Sequence, residues 1–255
     1  MGQNERHLER DGIKISYVAG QPHVVITHPR FLGQSLILRI PEYVTRLEDG
    51  KGICPGEVSW EVVQPDRHLR YRWAASAEQK AVVGVDFWGE ARSGSDEVAF
   101  EVTMHNTNPE PNSTGVSLFC LQTGSNYAFQ DYEGERTFLW CHDRWRTVCD
   151  LIEGRWKTHR MCGFSVHPDS TDSRTVRAGL MVKESSGDNR AVGIALDIAK
   201  SLSCNHQLWP SCIHANPTWD ALAPGAQQTA RGKVYYLAGS KDEILTRYRG
   251  DFGEG

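Results

Sequence analysis

The residues best suited to chemistry gather between Cys204 and Trp219, where sixteen positions hold two histidines, His206 and His214, two cysteines, Cys204 and Cys212, the amides Asn205 and Gln207, and the indoles Trp209 and Trp219. Free imidazole titrates near pH 6.5, so His206 and His214 are the candidates for proton transfer at neutral pH. Each could equally be a histidine bonded to backbone and turned away from any ligand. Cys204 precedes His206 by two positions, and side chains at i and i+2 of an extended chain share a side, so a Cys–His pair is geometrically open there. With Pro210 and the Asn216-Pro217 step, the stretch reads as a loop lining a site rather than a buried strand.

Other polar groups qualify less specifically. Asp131, Glu133 and Glu135 surround Gly134 beside Arg136. They could serve glycosidic chemistry if held about 5–9 Å apart, or form a solvated turn. Arg136 opens the segment Thr137–Cys141 and could project into a cleft. Arg160, beside His159, is either a surface residue or a clamp for a carboxylate or phosphate, which a guanidinium binds in bidentate fashion. His206 and His214 with His142 or His159 could supply three nitrogens to a metal, but no His-x-His, His-x-x-x-His or Cys-x-x-Cys spacing supports one, so no metal or cofactor is expected. Nucleophile-elbow and phosphate-loop motifs are absent.

These groups need a scaffold, and period-2 patterning dominates the chain. Strands are predicted over Ile13–Val18, His23–Thr27, Val58–Val63, Leu69–Ala74, Ala81–Trp88, Val98–His105, Val116–Gln122, Thr137–Cys141, Val176–Lys183, Val192–Ile198 and Gly232–Leu237. The segment from Asp143 to Asp172, with Trp145, Trp156 and His167, reads as a long ordered loop. One helix is predicted, Ser240–Arg249, with Ser240 as N-cap, Glu243 at the capping-box position and Ile244, Leu245 and Tyr248 as an apolar stripe. Many strands and one terminal helix imply an all-β, large antiparallel sandwich spanning 1–255 as a single domain.

Bulk properties narrow the function classes. The 255 residues carry a net charge of -4 with no basic stripe, so a nucleic-acid partner is not expected. No apolar run is long enough for a membrane span. Seven cysteines behind a polar N-terminus point to a reducing, cytoplasmic setting. Oligomeric state is left open. Of eight tryptophans, Trp140, Trp145, Trp156, Trp209 and Trp219 fall in or beside the polar segments and could meet the C–H face of a sugar, whereas Trp60, Trp73 and Trp88 sit on strand patterns and read as core.

Three segments together resemble the galactose mutarotase-like supersandwich proteins. They are Val102-Thr103-Met104-His105-Asn106-Thr107-Asn108-Pro109-Glu110-Pro111, Asn205-His206-Gln207-Leu208-Trp209-Pro210, which is similar to a Glu-x-Gln-x-Phe-Pro stretch, and Leu222-Ala223-Pro224-Gly225 before the strand through Val234-Tyr235-Tyr236-Leu237. The resemblance implies a supersandwich with a sugar cleft. It also places Asn126 where the epimerase acid would stand and Asn205 where the base would stand, and asparagine performs neither transfer, although it hydrogen-bonds hydroxyls well. The resulting expectation is a carbohydrate-active protein, leaning to an enzyme (isomerase, lyase or hydrolase) with chemistry other than ordinary mutarotation. It would bind a small-molecule sugar or sugar acid through Asn126, Arg136, Arg160, Asn205, Gln207 and Trp209, with His206 and His214 moving protons. The alternatives are a non-catalytic sugar binder and an interaction module.

Overall fold

The computed structural model describes residues 12–31, 34–79, 84–124, 126–153, 161–206 and 211–253. Two large antiparallel sheets face one another. The first is eight-stranded, ordered β1(Lys14–Tyr17), β2(His23–Thr27), β3(Ser35–Arg46), β9(Gly115–Gln122), β16(Ser211–Trp219), β15(Ala199–His206) and β12(Met161–Ser165), with the short β4(Gly52–Ile53) beside β3. The second is nine-stranded, ordered β11(Arg144–Thr147), β10(Thr137–Cys141), β13(Val176–Glu184), β14(Ala191–Leu196), β17(Gln227–Leu237), β8(Glu97–Asn106), β7(Val85–Ser93), β6(His68–Trp73) and β5(Ser59–Gln64). The all-β sandwich expected from the period-2 pattern is what the chain forms.

Alternation along the strands builds the core. Leu38, Leu121, Ile213 and Leu202 of the first sheet face Phe100, Val102, Ile194 and Val234 of the second. Aromatic pairs stitch the layers: Phe100 meets Phe119 edge-on with ring centroids 5.9 Å apart, and Phe87 meets Trp219 at 6.0 Å. Trp219 is therefore a core residue, and its indole nitrogen donates to Ser117 Oγ at 2.7 Å.

Two expectations about irregular segments are overturned. The polar stretch read as a loop is mostly two paired strands, β15 and β16, with every residue of β16 except Thr218 buried. His214 meets Ser203, and Asn216 donates to Ser201 and Ser203 across the two strands, while His206 bonds the Asp131 carbonyl oxygen, so polarity did not forbid burial. Pro217 is accommodated beside a register shift between Ala199 and Ser201. The supposed long loop from Asp143 onward contains β11, the short helix α1(Val148–Ile152) and β12. A reciprocal Thr147–Asp150 capping box starts α1.

The terminal helix α2(Lys241–Phe252) lies on the outer face of the nine-stranded sheet. There Ile244, Leu245 and Tyr248 pack with Ala178, Leu180, Val182, Ala191 and Tyr235. Ser240 occupies the N-cap position, but its side chain makes no capping bond. Glu243 pairs with Arg247 at 3.1 Å, and the Lys241 amide donates to Glu184 Oε1 at 2.9 Å. The capping box expected at this helix is thus replaced by a bond to the sheet.

Candidate functional site

The outer face of the eight-stranded sheet is polar, and the register aligns its side chains in rows. Directly opposed residues form one row across six strands: His23, Arg39, Cys120, His214, Ser203 and Gly163. The adjacent row holds Gln122, Cys212 and Asn205, and Asn216 faces Ser201 on the other side. This face gathers His214 and Asn205 from the sequence expectations and adds Arg39, Cys120, Cys212 and Gln122.

An irregularity in β3 delivers the remaining group. Pairing with β9 passes from Arg39↔Cys120 to Tyr43↔Leu118, so two extra residues of β3 bulge out of the ladder. The bulge holds Pro41 and Glu42, and the buried Tyr71 hydroxyl donates to the Ile40 carbonyl oxygen at its start. Arg39 Nη1 donates to Glu42 Oε1 at 3.1 Å. With its amide oxygen turned to the guanidinium, Gln122 accepts from Arg39 Nε and Nη2 at 3.2 Å each. Arg39 and Glu42 line a recess of about 400 Å³ together with His23, Cys54 and the Gly20–Pro22 turn.

Behind Glu42 the groups are buried and coupled. Glu42 Oε2 lies 3.7 Å from His214 Nε2, and His214 Nδ1 lies 3.0 Å from Ser203 Oγ. His214 is 2% exposed, Cys212 3% and Cys120 0%. The Cys120 thiol bonded to Cys212 holds the latter down to about 5 against burial, with His214 adding to the effect. Burial opposes charge on His214, but Cys212 and Glu42 outweigh it and hold the imidazole up at about 9. Burial likewise opposes ionisation of Glu42, yet His214, Cys120 and Arg39 keep its carboxyl below the usual range. The arrangement is a buried thiol–imidazole–carboxylate cluster with only its Glu42 end open to solvent. The i, i+2 Cys–His spacing open at Cys204 and His206 recurs at Cys212 and His214, which share the outer face.

The other candidates lie elsewhere. His206 is on the opposite side of β15 from Asn205, between the sheets, with Nδ1 bonded to the Asp131 carbonyl oxygen. Burial and then the Lys183 ammonium push its pKa down to about 4. Asn126 is fully buried, donating to the Tyr236 hydroxyl at 3.1 Å and accepting from the Ala128 amide at 3.2 Å at the start of the 3-10 turn Tyr127–Phe129. Arg136 donates to the carbonyl oxygens of Ala128, Gln130 and Glu184, so its guanidinium ties loops together. Asp131 is spent on the amides of Glu135 and Arg136 and on the Thr137 hydroxyl. Gln207, Trp209, Arg160, His159 and Trp156 lie outside the described residues.

Sequence reasoning missed Arg39, Glu42, Cys120 and Gln122. The signal available was alternation: Leu36, Leu38 and Ile40 point inward while Arg39 points out, a strand pattern that Pro41 interrupts. Trp88, read as core, stands half-exposed on the outer face of the other sheet, in a larger groove of about 590 Å³. Most charged side chains of that groove neutralise one another, with Glu90 2.6 Å from Arg92 and 3.0 Å from Arg70, and Glu101 3.2 Å from Arg231. Exposed pairs of this kind are common on protein surfaces. The smaller recess, backed by buried coupled groups, has the stronger claim to chemistry.

No protein-family model matches the chain, and no curated protein matches it in sequence. Solved structures do match in fold. The protein Slr1438 from Synechocystis sp. PCC 6803 superposes with a TM-score of 0.57 at 10% identity, covering 90% of this chain and 93% of that one. A galactose mutarotase-like protein from Lactobacillus casei superposes with a TM-score of 0.53 at 9% identity, covering 89% and 98%. The alpha-N-acetylgalactosaminidase NagBb from Bifidobacterium bifidum, solved with GalNAc, reaches 0.60 at 12% identity over 94% of this chain but 37% of its own. The fold is the galactose mutarotase-like sandwich. Among the described residues no helix is long and apolar enough to cross a membrane.

Proposed function

We propose that the protein binds a sugar or acidic sugar derivative on the outer face of its eight-stranded sheet, in the recess at Arg39 and Glu42, and acts on it by proton transfer. The carrying observation is that one row of this face joins an open arginine–carboxylate pair to a buried histidine–cysteine pair. Arg39 and Gln122 supply donors and acceptors for hydroxyls or a carboxylate. Glu42 is the group within reach of a ligand proton, and His214 positions it from behind. Asn205, buried on β15 and three strands from Arg39, does not line this recess. The chemistry is expected to differ from ordinary mutarotation, because the resemblance puts asparagines, Asn126 and Asn205, where that reaction has its acid and base.

The test is a thermal-shift screen of the full chain against neutral sugars, uronic acids and sugar phosphates. A ligand at about 100 times its Kd stabilises by roughly 2.7 kcal/mol. The expected result is a stabilising compound whose effect falls at least tenfold in Arg39→Ala and persists in Trp88→Ala. Loss in Trp88→Ala with retention in Arg39→Ala would move the ligand to the other sheet and overturn the assignment. Turnover of that compound, abolished in Glu42→Gln while binding persists, is expected of an enzyme. Binding without turnover would support the second reading, a non-catalytic sugar binder, which the two asparagines at the acid and base positions favour.

A further inference from the structure

We propose that Cys120, Cys212 and His214 form a binding site for a thiophilic transition-metal ion such as Zn²⁺, with Glu42 as the fourth donor. The two sulfurs and one imidazole nitrogen already lie within 4.8 Å of one another, and all three residues are buried. Zn–S bonds of about 2.3 Å and Zn–N bonds of about 2.0–2.1 Å set the edges of a tetrahedral site at roughly 3.5–3.8 Å. The donors therefore need to close by about 1.3 Å at most.

The backbone fixes these donors on two neighbouring strands. Cys212 and His214 alternate on β16 and share its outer face, and Cys120 stands directly opposite His214 on β9. Sites carried on sheet ladders hold their geometry better than sites on loops. A second layer orients the imidazole. Ser203 Oγ lies 3.0 Å from Nδ1 and itself accepts from Asn216 Nδ2 at 3.2 Å, which leaves Nε2 to face the cluster. This is the arrangement in which a ligating histidine gives its other nitrogen to a fixed partner. Glu42 Oε2, 3.7 Å from Nε2, sits on the β3 bulge rather than in a ladder, so it can close on a metal or remain with Arg39.

The donor set selects the ion. Two sulfurs and an imidazole favour Zn²⁺ and similarly soft ions over Mg²⁺ or Ca²⁺, which prefer oxygen. Binding a divalent ion requires both sulfurs as thiolates and a neutral imidazole, and the protons that these groups held leave to solvent. A second cysteine pair provides an internal control. Cys162 and Cys204 face each other across β12 and β15 on the inner side of the sheet, and among the described residues they belong to no cluster of three close donors.

The experiment is a Co²⁺ titration of the reduced, metal-free full chain, followed by optical absorption and back-titration with Zn²⁺. One equivalent is expected to produce thiolate-to-cobalt charge-transfer and intense tetrahedral d–d bands, which Zn²⁺ abolishes. Cys212→Ser and His214→Ala are expected to remove the bands, Ser203→Ala to weaken binding 10–100-fold, and Cys204→Ser to change nothing. Absence of the bands in wild type, or their survival in folded Cys212→Ser, overturns the proposal. Should Cys212→Ser fail to fold, undiminished affinity in Ser203→Ala does so instead. Arg39→Ala, which frees Glu42 from its arginine, is expected to keep the cobalt bands and bind the metal at least as tightly while reducing sugar binding, so the two proposals fail separately.

Discussion

Lys183 lies on β13 with its side chain fully buried between the sheets, its ammonium donating to Ser211 Oγ at 2.9 Å and approaching Thr123 Oγ1 at 3.4 Å. Its ion-pair options are poor, because nearby Asp131 is occupied by backbone amides and a hydroxyl. Burial drives the Lys183 pKa down, and its charge in turn adds to the burial that lowers His206 from 6.5 to about 4. A base with a lowered folded-state pKa binds fewer protons when folded. Stability is therefore complete above pH 6.5 and is lost progressively as pH falls from 6.5 towards 4, by at most about 3 kcal/mol. Urea unfolding of wild type and His206→Gln at pH 7 and pH 4 tests this: the wild-type advantage at pH 7 is expected to shrink by about 2–3 kcal/mol. An unchanged difference would mean that His206 does not titrate with folding. Lys183→Met is expected to stay within about 1 kcal/mol of wild type or exceed it, since apolar replacement of a poorly paired buried charge is often neutral or stabilising. Ser211→Ala, which removes the closer partner and keeps the charge, is expected to cost about 1–3 kcal/mol. The reverse order of those two would show that Lys183 is well solvated by its hydroxyls.

At the scale of elements, the β3 bulge turns a plain sheet face into a site. Without its extra residues, Glu42 would follow the alternation of the ladder. The bulge is anchored by Tyr71, whose hydroxyl donates to Ile40 O from β6 of the opposing sheet, and whose ring lies against Trp60 with centroids 5.2 Å apart. Tyr71→Phe keeps the ring and removes the donor, leaving a buried carbonyl unpaired. It is expected to cost about 1–3 kcal/mol and to weaken ligand binding at Arg39 and Glu42, which calorimetry of the variant measures. Binding unchanged alongside the lost stability would show that the bulge holds its shape without that anchor. Tyr71 also explains a neighbouring glycine: a Cβ at Gly89 would come within 2.4 Å of the Tyr71 ring and 2.9 Å of the Glu101 carbonyl oxygen. Gly89→Ala is accordingly expected to destabilise by about 1–3 kcal/mol, the ordinary range for overpacking.

For the whole molecule, what could be read from the chain depended on which side of each sheet faced water. Strands such as Val98–His105 alternate apolar and polar residues because one face is core and the other solvent, and they stood out. β15 and β16 carry polar residues on a face that is itself buried, so their pattern resembled a loop. β3 was hidden by the proline of its own bulge. Part of the site followed, His214 being legible from residue type, whereas Arg39, Glu42 and Cys120 join it only through sheet order. The same distinction governs the opposite face of the molecule, where α2 substitutes for solvent. Ile244, Leu245 and Tyr248 are buried there, the Gly179 amide donates to the Tyr248 hydroxyl at 3.1 Å, and the Tyr235 hydroxyl donates to Asp251 at 2.7 Å. Burying three such side chains contributes about 1.5–3 kcal/mol each, a sum comparable with the 5–15 kcal/mol that separates a typical folded domain from its unfolded state. Truncation after Gly239 would leave Leu180, Val182 and Tyr235 uncovered on the nine-stranded sheet. The shortened chain is expected to lose cooperative thermal unfolding and to aggregate, as light scattering through a temperature ramp would show. A truncated chain that stays monomeric and melts within a few degrees of the full one would mean that α2 merely rests on a sheet already stable without it.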